Sequence, residues 1–422
     1  METIIGIIFI IGYAAISLEH PLRINKTASA VLLAVVCWLL YIMSGSTNHE
    51  NVLHELSEHL SGIAGILFFL MGAMTIVELV DTHKGFRIIT DLIQTDSKKK
   101  LLWIICSITF FLSAALDNLT TSIIMVSLLK KIVDDKKERM VMASMVIIAA
   151  NAGGAWSPIG DVTTTMLWIG GQISAMNIVK VLFIPAAVSL LVPLMYQSFF
   201  MNGKFSKPKH DTRMPQSEPY SRLIFFIGFG VLIFVPVFKT ITHLPPFMGM
   251  MFGLGLLWIV TEIIHTGKED RHHLRVSHVL SKIDLNSILF FLGILLAVAA
   301  LESIGLLIDF SGWLNSTIGN SDIIIAILGL MSSVIDNVPL VAATMGMYSL
   351  TDFPMDHKIW EMIAYCAGTG GSILIIGSAA GVVVMGMEKI EFFWYLKKIG
   401  FTALIGYVAG VLTYLGIFAM MN

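Results

Sequence analysis

Four apolar segments, residues 101 to 129, 140 to 169, 322 to 350 and 359 to 386, run to 28 to 30 residues each. That is too long for one straight membrane crossing of about 20 residues and too short for two. Each also carries polar or glycine-rich sequence in its middle. The first and third hold Asp117-Asn118 and Asp336-Asn337. The second holds Asn151-Ala-Gly-Gly154 and Ser157-Pro-Ile-Gly-Asp161, and the fourth holds Gly368-Thr-Gly-Gly-Ser372 and Gly377-Ser378. Irregular backbone and charge are tolerated at membrane depth only where they are buried in protein or line a cavity, so these four segments must fold around something.

The rest of the chain says that a membrane is their setting. Of 422 residues 56% are hydrophobic and 13% charged, against roughly 45–50% and about 25% in soluble domains. Further apolar segments fall at 3 to 18, 28 to 44, 60 to 80, 178 to 200, 222 to 239, 247 to 264, 285 to 303 and 399 to 420. The first, Ile4 to Leu18, lacks a basic leader and a small-residue cleavage site, which predicts a retained span rather than a signal peptide. Cys37, Cys106 and Cys366 all lie in apolar sequence, so no disulfide framework or metal cluster is expected. The net charge of −2 selects no macromolecular partner. Neither a nucleic acid nor a cofactor is expected, and the expected partner is the lipid bilayer.

Charge in the connections predicts the course of the chain. The stretches 19 to 27, 81 to 100, 130 to 139, 201 to 222, 265 to 284 and 387 to 398 carry 24 of the 27 Lys and Arg residues. The stretches 45 to 59, 171 to 177, 304 to 321 and 351 to 357 carry none. With basic loops on the cytoplasmic side, both ends of 101 to 129 are inside and both ends of 322 to 350 are outside. Each is predicted to be a re-entrant helical hairpin with its Asp-Asn pair near the tip. The segments 140 to 169 and 359 to 386 do change sides, so their surplus length reads as a helix broken in mid-membrane, unwound by glycines and Pro158. The prediction is an all-α polytopic membrane protein with an inverted-topology repeat, each half having five spans, one of them broken, plus one re-entrant hairpin. The first repeat covers 1–200, a cytoplasmic linker with Pro208, Pro215 and Pro219 covers 201–221, and the second repeat covers 222–422. Broken helices at matching places of inverted halves point to a midplane site in a secondary transporter.

Asp117, Asp161 and Asp336 are the acids predicted to lie deepest, with Glu78 and Glu302 nearer the ends of their spans. A carboxylate at the bilayer centre costs about 2.5–3.5 kcal/mol on insertion scales. No lysine or arginine is predicted to face these acids, so each must hold a proton or a metal cation, and one carboxylate cannot hold both. Hard cations such as sodium take oxygen ligands from carboxylate, amide, hydroxyl and carbonyl groups. Asp117, Asn118, Thr120 or Thr121, and Asn151 offer that set in the first half. Asp336, Asn337, Thr369 and Ser372 offer a similar one in the second. Competition for such a site, with alternating access, is ion-for-proton exchange.

The combination of Asp117-Asn118, Asn151-Ala-Gly-Gly154, Gly160-Asp161-Val-Thr-Thr-Thr165 and a second Asp336-Asn-Val-Pro339 resembles the NhaD family of bacterial sodium/proton antiporters, within the ion transporter superfamily. The resemblance covers nearly the whole chain. It implies that Asp117, Asn118, Asn151, Asp161, Thr163, Thr164, Ser332, Asn337 and Ser372 take part in ion binding or translocation, with sodium at Asp117, Asn118 and Asn151. It also implies a bacterial inner-membrane location, a scaffold-and-transport arrangement and a homodimer, with sodium, lithium and protons as the transported ions. The second half departs from the pattern of the first, because Gly368-Thr369 stands where the first half has Asn151-Ala.

Glu78 and Glu302 are further candidates for a proton path, and Asp309 is predicted to lie in an outer loop. His265, His272, His273 and His278 inside, and His54 and His59 outside, are expected to be solvated loop histidines. The competing readings are a dicarboxylate carrier, an arsenite or silicate carrier, and an intramembrane aspartyl protease. Aspartates at both hairpin tips would repel an anion. The protease motif Gly-x-Gly-Asp has Pro158 in place of its first glycine here, and no Pro-Ala-Leu follows, so a transporter rather than an enzyme is expected.

Overall fold

The computed structural model describes residues 2–17, 19–45, 48–90, 95–204 and 218–421, so the linker 201–221 lies largely outside the described residues. Among them the elements are helical, with no strand. The chain begins with α1 (Glu2–Ser17), α2 (Lys26–Met43) and α3 (His49–Thr82). The first two over-long segments form α4 (Lys98–Ser113), α5 (Asn118–Ile132), α6 (Lys136–Ala155) and α7 (Val162–Ile169). Next come α8 (Ala175–Phe200), α9 (Ser221–Thr242), α10 (Pro246–His265) and α11 (Leu285–Ser303). They are followed by α12 (Leu306–Ile318), α13 (Ser321–Met331), α14 (Asn337–Met347), α15 (Lys358–Gly370), α16 (Ala379–Glu388) and α17 (Phe401–Met421).

Among the described residues seven helices are long and apolar enough to cross a membrane: α2, α3, α8, α9, α10, α11 and the stretch Phe392–Met420 that contains α17. Large apolar side chains such as Leu32, Phe226, Ile241 and Ile259 are exposed on their outer faces, where lipid rather than water is the favourable neighbour. This is a multi-pass membrane protein. Side-chain caps start its helices where the sequence supplies them: Asn25 accepts from the Thr27 amide, Asn48 from Glu50 and Asp135 from Glu138. Pro185 and Pro193 sit inside an unbroken α8, so proline alone does not break these helices.

Both segments predicted to be hairpins fold back on themselves. The two ends of the first meet the beginning of α6, where Lys98 pairs with Glu138 and Arg139 Nη1 donates to the Val133 carbonyl at 2.9 Å. Its tip meets the far end of α6, where Ser113 Oγ donates to the Ala150 carbonyl at 2.7 Å. The second repeats this on α15. Lys358 Nζ pairs with Asp322 at 2.6 Å and Tyr348 packs edge-on against Trp360 near the start of that helix, while Ser332 Oγ donates to the Ala367 carbonyl at 2.9 Å near its end. The chain also leaves the helix between α6 and α7 and between α15 and α16.

Two connections depart from the loops predicted for them. Most of 45 to 59 belongs to α3, which starts at His49 and runs for 34 residues. Much of 304 to 321 forms α12, which carries Asp309. That helix lies between Gly305 and Gly319, at φ 77° and 71°, and meets α13 at 116°. It buries Leu307, Ser311 and Leu314 and leaves Ile308, Phe310 and Trp313 exposed. An amphipathic helix without lysine or arginine is easily taken for a loop when charge is the guide.

The helices pack in two groups. In one, α2 lies along α11, and α3, α9 and α10 pack together. In the other, α4, α5 and α8 surround α6, α8 lies along α17, and α13 pairs with α15. Contacts of α14 with α11 and of α7 with α3 join the groups.

His265 is not a solvated loop residue. It is fully buried, with Nε2 3.0 Å from Nε2 of His83, and His83 Nδ1 lies 2.8 Å from the Leu79 carbonyl. A carbonyl only accepts, so His83 holds a proton on Nδ1, and with both rings neutral the bond between them runs from His265 Nε2 to His83 Nε2. The pair fastens the end of α3 to the end of α10. His54, His272 and His273 are exposed, although His54 lies on α3 rather than in a loop.

Burial pushes the His83 imidazole below its ordinary value of 6.5. Above that value neither the folded nor the unfolded chain is protonated there. Below it the unfolded chain binds a proton that the folded chain resists, so stability falls as pH drops. The detergent-purified protein is therefore expected to keep its melting temperature from neutral to alkaline pH and to lose several degrees below about pH 6. His83→Gln should lose less on acidification, and an identical acid loss in the variant would count against the pair.

Candidate ion-binding site

Four helices begin at the centre of the molecule, and the residue that caps each of them is polar. Asp117 caps α5, with Oδ1 accepting from the Thr120 amide at 2.8 Å and Oδ2 from the Thr120 hydroxyl at 2.7 Å. Asp161 caps α7 by accepting from the Thr163 amide at 3.2 Å. Asp336 caps α14 through the Val338 amide at 3.2 Å, and Ser378 caps α16 through the Gly381 amide at 3.2 Å. Each cap satisfies a backbone donor that a helix start leaves open, and the three carboxylates also face the positive ends of their helices. The break that ends one helix thus creates the N-terminus at which a buried acid is least costly.

Asp161 is where the two hairpins meet. Its Oδ2 accepts from Asn118 Nδ2 at 3.1 Å, and Asn337 Nδ2 reaches its two oxygens at 3.4 and 3.2 Å. Asn118 also donates to Asn151 Oδ1 at 3.1 Å. Asn151 in turn donates to Ser372 Oγ at 2.9 Å and Ser378 Oγ at 3.0 Å. All six side chains are buried. The amide nitrogen of Asn118 is spent on these bonds, and its carbonyl oxygen keeps its lone pairs free among the described residues.

The other predicted residues occupy varied positions. Thr164 Oγ1 donates to the Asp161 carbonyl at 2.9 Å, Thr369 Oγ1 to the Tyr365 carbonyl at 2.6 Å, and Ser332 to Ala367 as described. The buried hydroxyls of Thr121 and Thr163 make no hydrogen bond among the described residues. Glu78 is half-buried and accepts from Thr82 of its own helix at 3.3 Å. Glu302 stands exposed at the C-terminal end of α11 beside Gly346. Neither glutamate reaches the central cluster.

A cavity of about 80 Å³ lies between the hairpin tips and the other helix group. Asp117, Asn118, Thr120, Asp161, Asp336 and Asn337 line one side, and Phe69, Leu70, Phe290 and Phe291 line the other. Asn151 and Ser372 stand behind this lining. One lining residue was not foreseen: Lys26, from the first turn of α2, borders the same cavity as the three aspartates. It escaped notice because it sits in a basic connection whose charge marks membrane sidedness. Ser378 was also missed as a cluster member, although Gly377-Ser378 follows Gly368 at the ten-residue spacing that separates Asp161 from Asn151. Another buried acid, Glu361, belongs elsewhere. It accepts from Asn177 at 2.5 Å and from Tyr414 at 2.6 Å in the first turn of α15.

The network makes two expectations measurable. Asn151→Ala leaves Asn118, Ser372 and Ser378 without a common partner and should cost about 1–3 kcal/mol. Ser378→Ala loses a cap and one acceptor and should cost about 1 kcal/mol. Thermal unfolding of the purified variants checks both, and a Ser378 variant as damaged as the Asn151 variant would contradict the central place of Asn151.

Comparison with known proteins adds an independent line. Residues 7–360 match the family described as CitMHS, citrate transporter. Sodium/proton antiporter 1 of Arabidopsis thaliana is 50% identical over 418 residues, which is 99% of this chain and 72% of the relative. Sodium/proton antiporter 2 of the same plant is 48% identical over 98% of this chain and 99% of its own length. The Na(+)/H(+) antiporter NhaD of Alkalimonas amylolytica is 30% identical over 97% of this chain and 89% of its own. The chain thus belongs to the citrate transporter family and, within the ion transporter superfamily, to its NhaD-type members, which are membrane transporters rather than enzymes.

Proposed function

We propose that the protein exchanges cytoplasmic Na⁺, and Li⁺ of similar charge density, for external H⁺ by alternating access. The observation that carries this reading is the occupation of the central helix N-termini. A carrier of citrate or another carboxylate would present such N-termini to its anion. Here three of the four are already taken by the chain's own carboxylates, and those carboxylates line the cavity. A cation, or a proton in its place, is the species that relieves them. The relatives named sodium/proton antiporters support the same choice.

In this reading sodium binds at Asp117 and Asn118, with Asn151 behind them orienting the Asn118 amide. Thr120, Thr121, Thr163 and Thr164 stand near in sequence to supply hydroxyl or carbonyl oxygens. Asp336 and Asn337, with Ser332, Thr369 and Ser372, form the matching part of the second half. Glu78 and Glu302, each near the C-terminal end of its span, remain proton-path residues within this proposal. No cofactor is required.

The larger architecture belongs to the same proposal. Residues 1–200 and 222–422 are taken as inverted repeats joined by the linker 201–221. The matched contacts of the two hairpins with α6 and α15 support this, as does the correspondence of Asp161 with Ser378. The helix group around α6 and α15 would be the transport unit and the group around α3 and α11 its scaffold. The protein would work as a homodimer in a bacterial inner membrane, the setting implied by the likeness to NhaD, and would serve pH homeostasis and salt tolerance.

The test is a measurement of lumenal pH in everted vesicles carrying a proton gradient. Sodium and lithium should each collapse part of the gradient, citrate should not, and Asp117→Asn and Asp161→Asn should abolish the sodium response. A wild-type protein silent to sodium would end the antiport reading. A full response in Asp117→Asn would end the site assignment while leaving the activity standing.

A further inference from the structure

Lys26 has no part in the scheme above, yet it borders the same cavity as Asp117, Asp161 and Asp336. Its position is built rather than incidental. Asn25 caps α2 through the Thr27 amide at 2.8 Å, and Thr27 Oγ1 donates to the Asn286 carbonyl at 3.1 Å, tying the start of α2 to the start of α11. Farther along the same contact, Trp38 Nε1 donates to the Leu296 carbonyl at 2.9 Å. The ammonium lies 4.7 Å from the centroid of the Phe290 ring, a cation–π contact that holds it at the cavity edge. Ser287, one turn before Phe290, lines the cavity at the same end. Its hydroxyl and amide donate to Asp284, and the Lys26 amide donates to Glu19 at 3.3 Å, so Lys26 is the cation set among these carboxylates. Lys26 and Ser287 both belong to helix starts that follow basic connections, which is the cytoplasmic side in the proposed topology.

Resting on the antiport reading, we propose that Lys26 is a fixed positive charge at the cytoplasmic mouth of the ion cavity, where it holds down cation entry and sets the sodium concentration at which transport half-saturates. It is the lysine or arginine that the described cavity lining contains. The aspartates beyond it attract every cation, and a positive charge at the entrance opposes that attraction without touching the bound ion. Because the mouth is partly solvated, the opposition is screened by salt. A lysine that merely snorkels from the membrane to water would leave the sodium dependence untouched.

Everted vesicles expose the cytoplasmic face to the medium, so added sodium meets this mouth first. Lys26→Gln should lower the half-saturating sodium concentration about threefold at low ionic strength, the scale of one unit charge acting through a half-solvated opening. The change should fall on half-saturation rather than maximal rate, shrink when choline chloride is added, and disappear in Lys26→Arg. Ser287→Lys in the Lys26→Gln background should restore the wild-type value by returning the charge to the same mouth. If Lys26→Gln fails to reach the membrane, Ser287→Glu in the otherwise unaltered chain should lower half-saturation by a similar factor. Wild-type sodium dependence in Lys26→Gln, or a change insensitive to choline chloride, would overturn the inference while leaving the antiport reading intact. A wild-type chain with no sodium response would overturn the antiport reading itself.

Discussion

The hydrogen bonds that Asn118 and Asn337 donate to the buried carboxylate of Asp161 are the interaction around which this molecule is arranged. An ionised carboxylate taken out of water loses several kcal/mol of hydration. Here the loss is offset by the Thr163 amide, by the open end of α7 and by two side-chain amides. Neither hairpin alone could supply both amides. Burial of one charge therefore ties together two segments separated by more than two hundred residues of sequence, and it requires α6 and α7 to part where Asp161 stands.

Parting the helices is a matter of space as much as of hydrogen bonding. A Cβ at Gly153 would run into the carbonyl of Phe110, and one at Gly370 into the carbonyl of Gly329. The hairpins can lie this close to the broken helices only because those positions have no side chain. Ser113 and Ser332 then use the proximity to bond the backbone of Ala150 and Ala367. Backbone contact replaces side-chain packing at the same place on each broken helix, which keeps the polar centre rigid without filling it.

Much of this was legible in the sequence, because each legible part left a mark in composition. Segment length marks where the chain turns back at Asp117 and Asp336, and Gly153, Gly154, Gly370 and Gly371 mark where helices end. The central acids and amides were visible as polar residues in apolar surroundings. What escaped was set by tertiary context. Lys26 carries the signature of a topogenic loop charge, and only the packing of α2 on α11 brings it to the cavity. His265 ends an apolar helix and looks solvated until His83, nearly two hundred residues away, is placed beside it. Ser378 is as ordinary a residue as the chain contains, and its role follows from where α16 begins. Sequence places Thr120 near Asp117 but not how it bonds, and in the structure it engages both carboxylate oxygens.

The helix α12 has a mechanical meaning that its sequence conceals. Its 13 residues make a stiff rod of about 20 Å, and the glycines at its two ends adopt backbone angles that most residues avoid. A rod of that kind fixes a distance. The end of the second hairpin that joins α12 is thereby held about 20 Å from the end of α11.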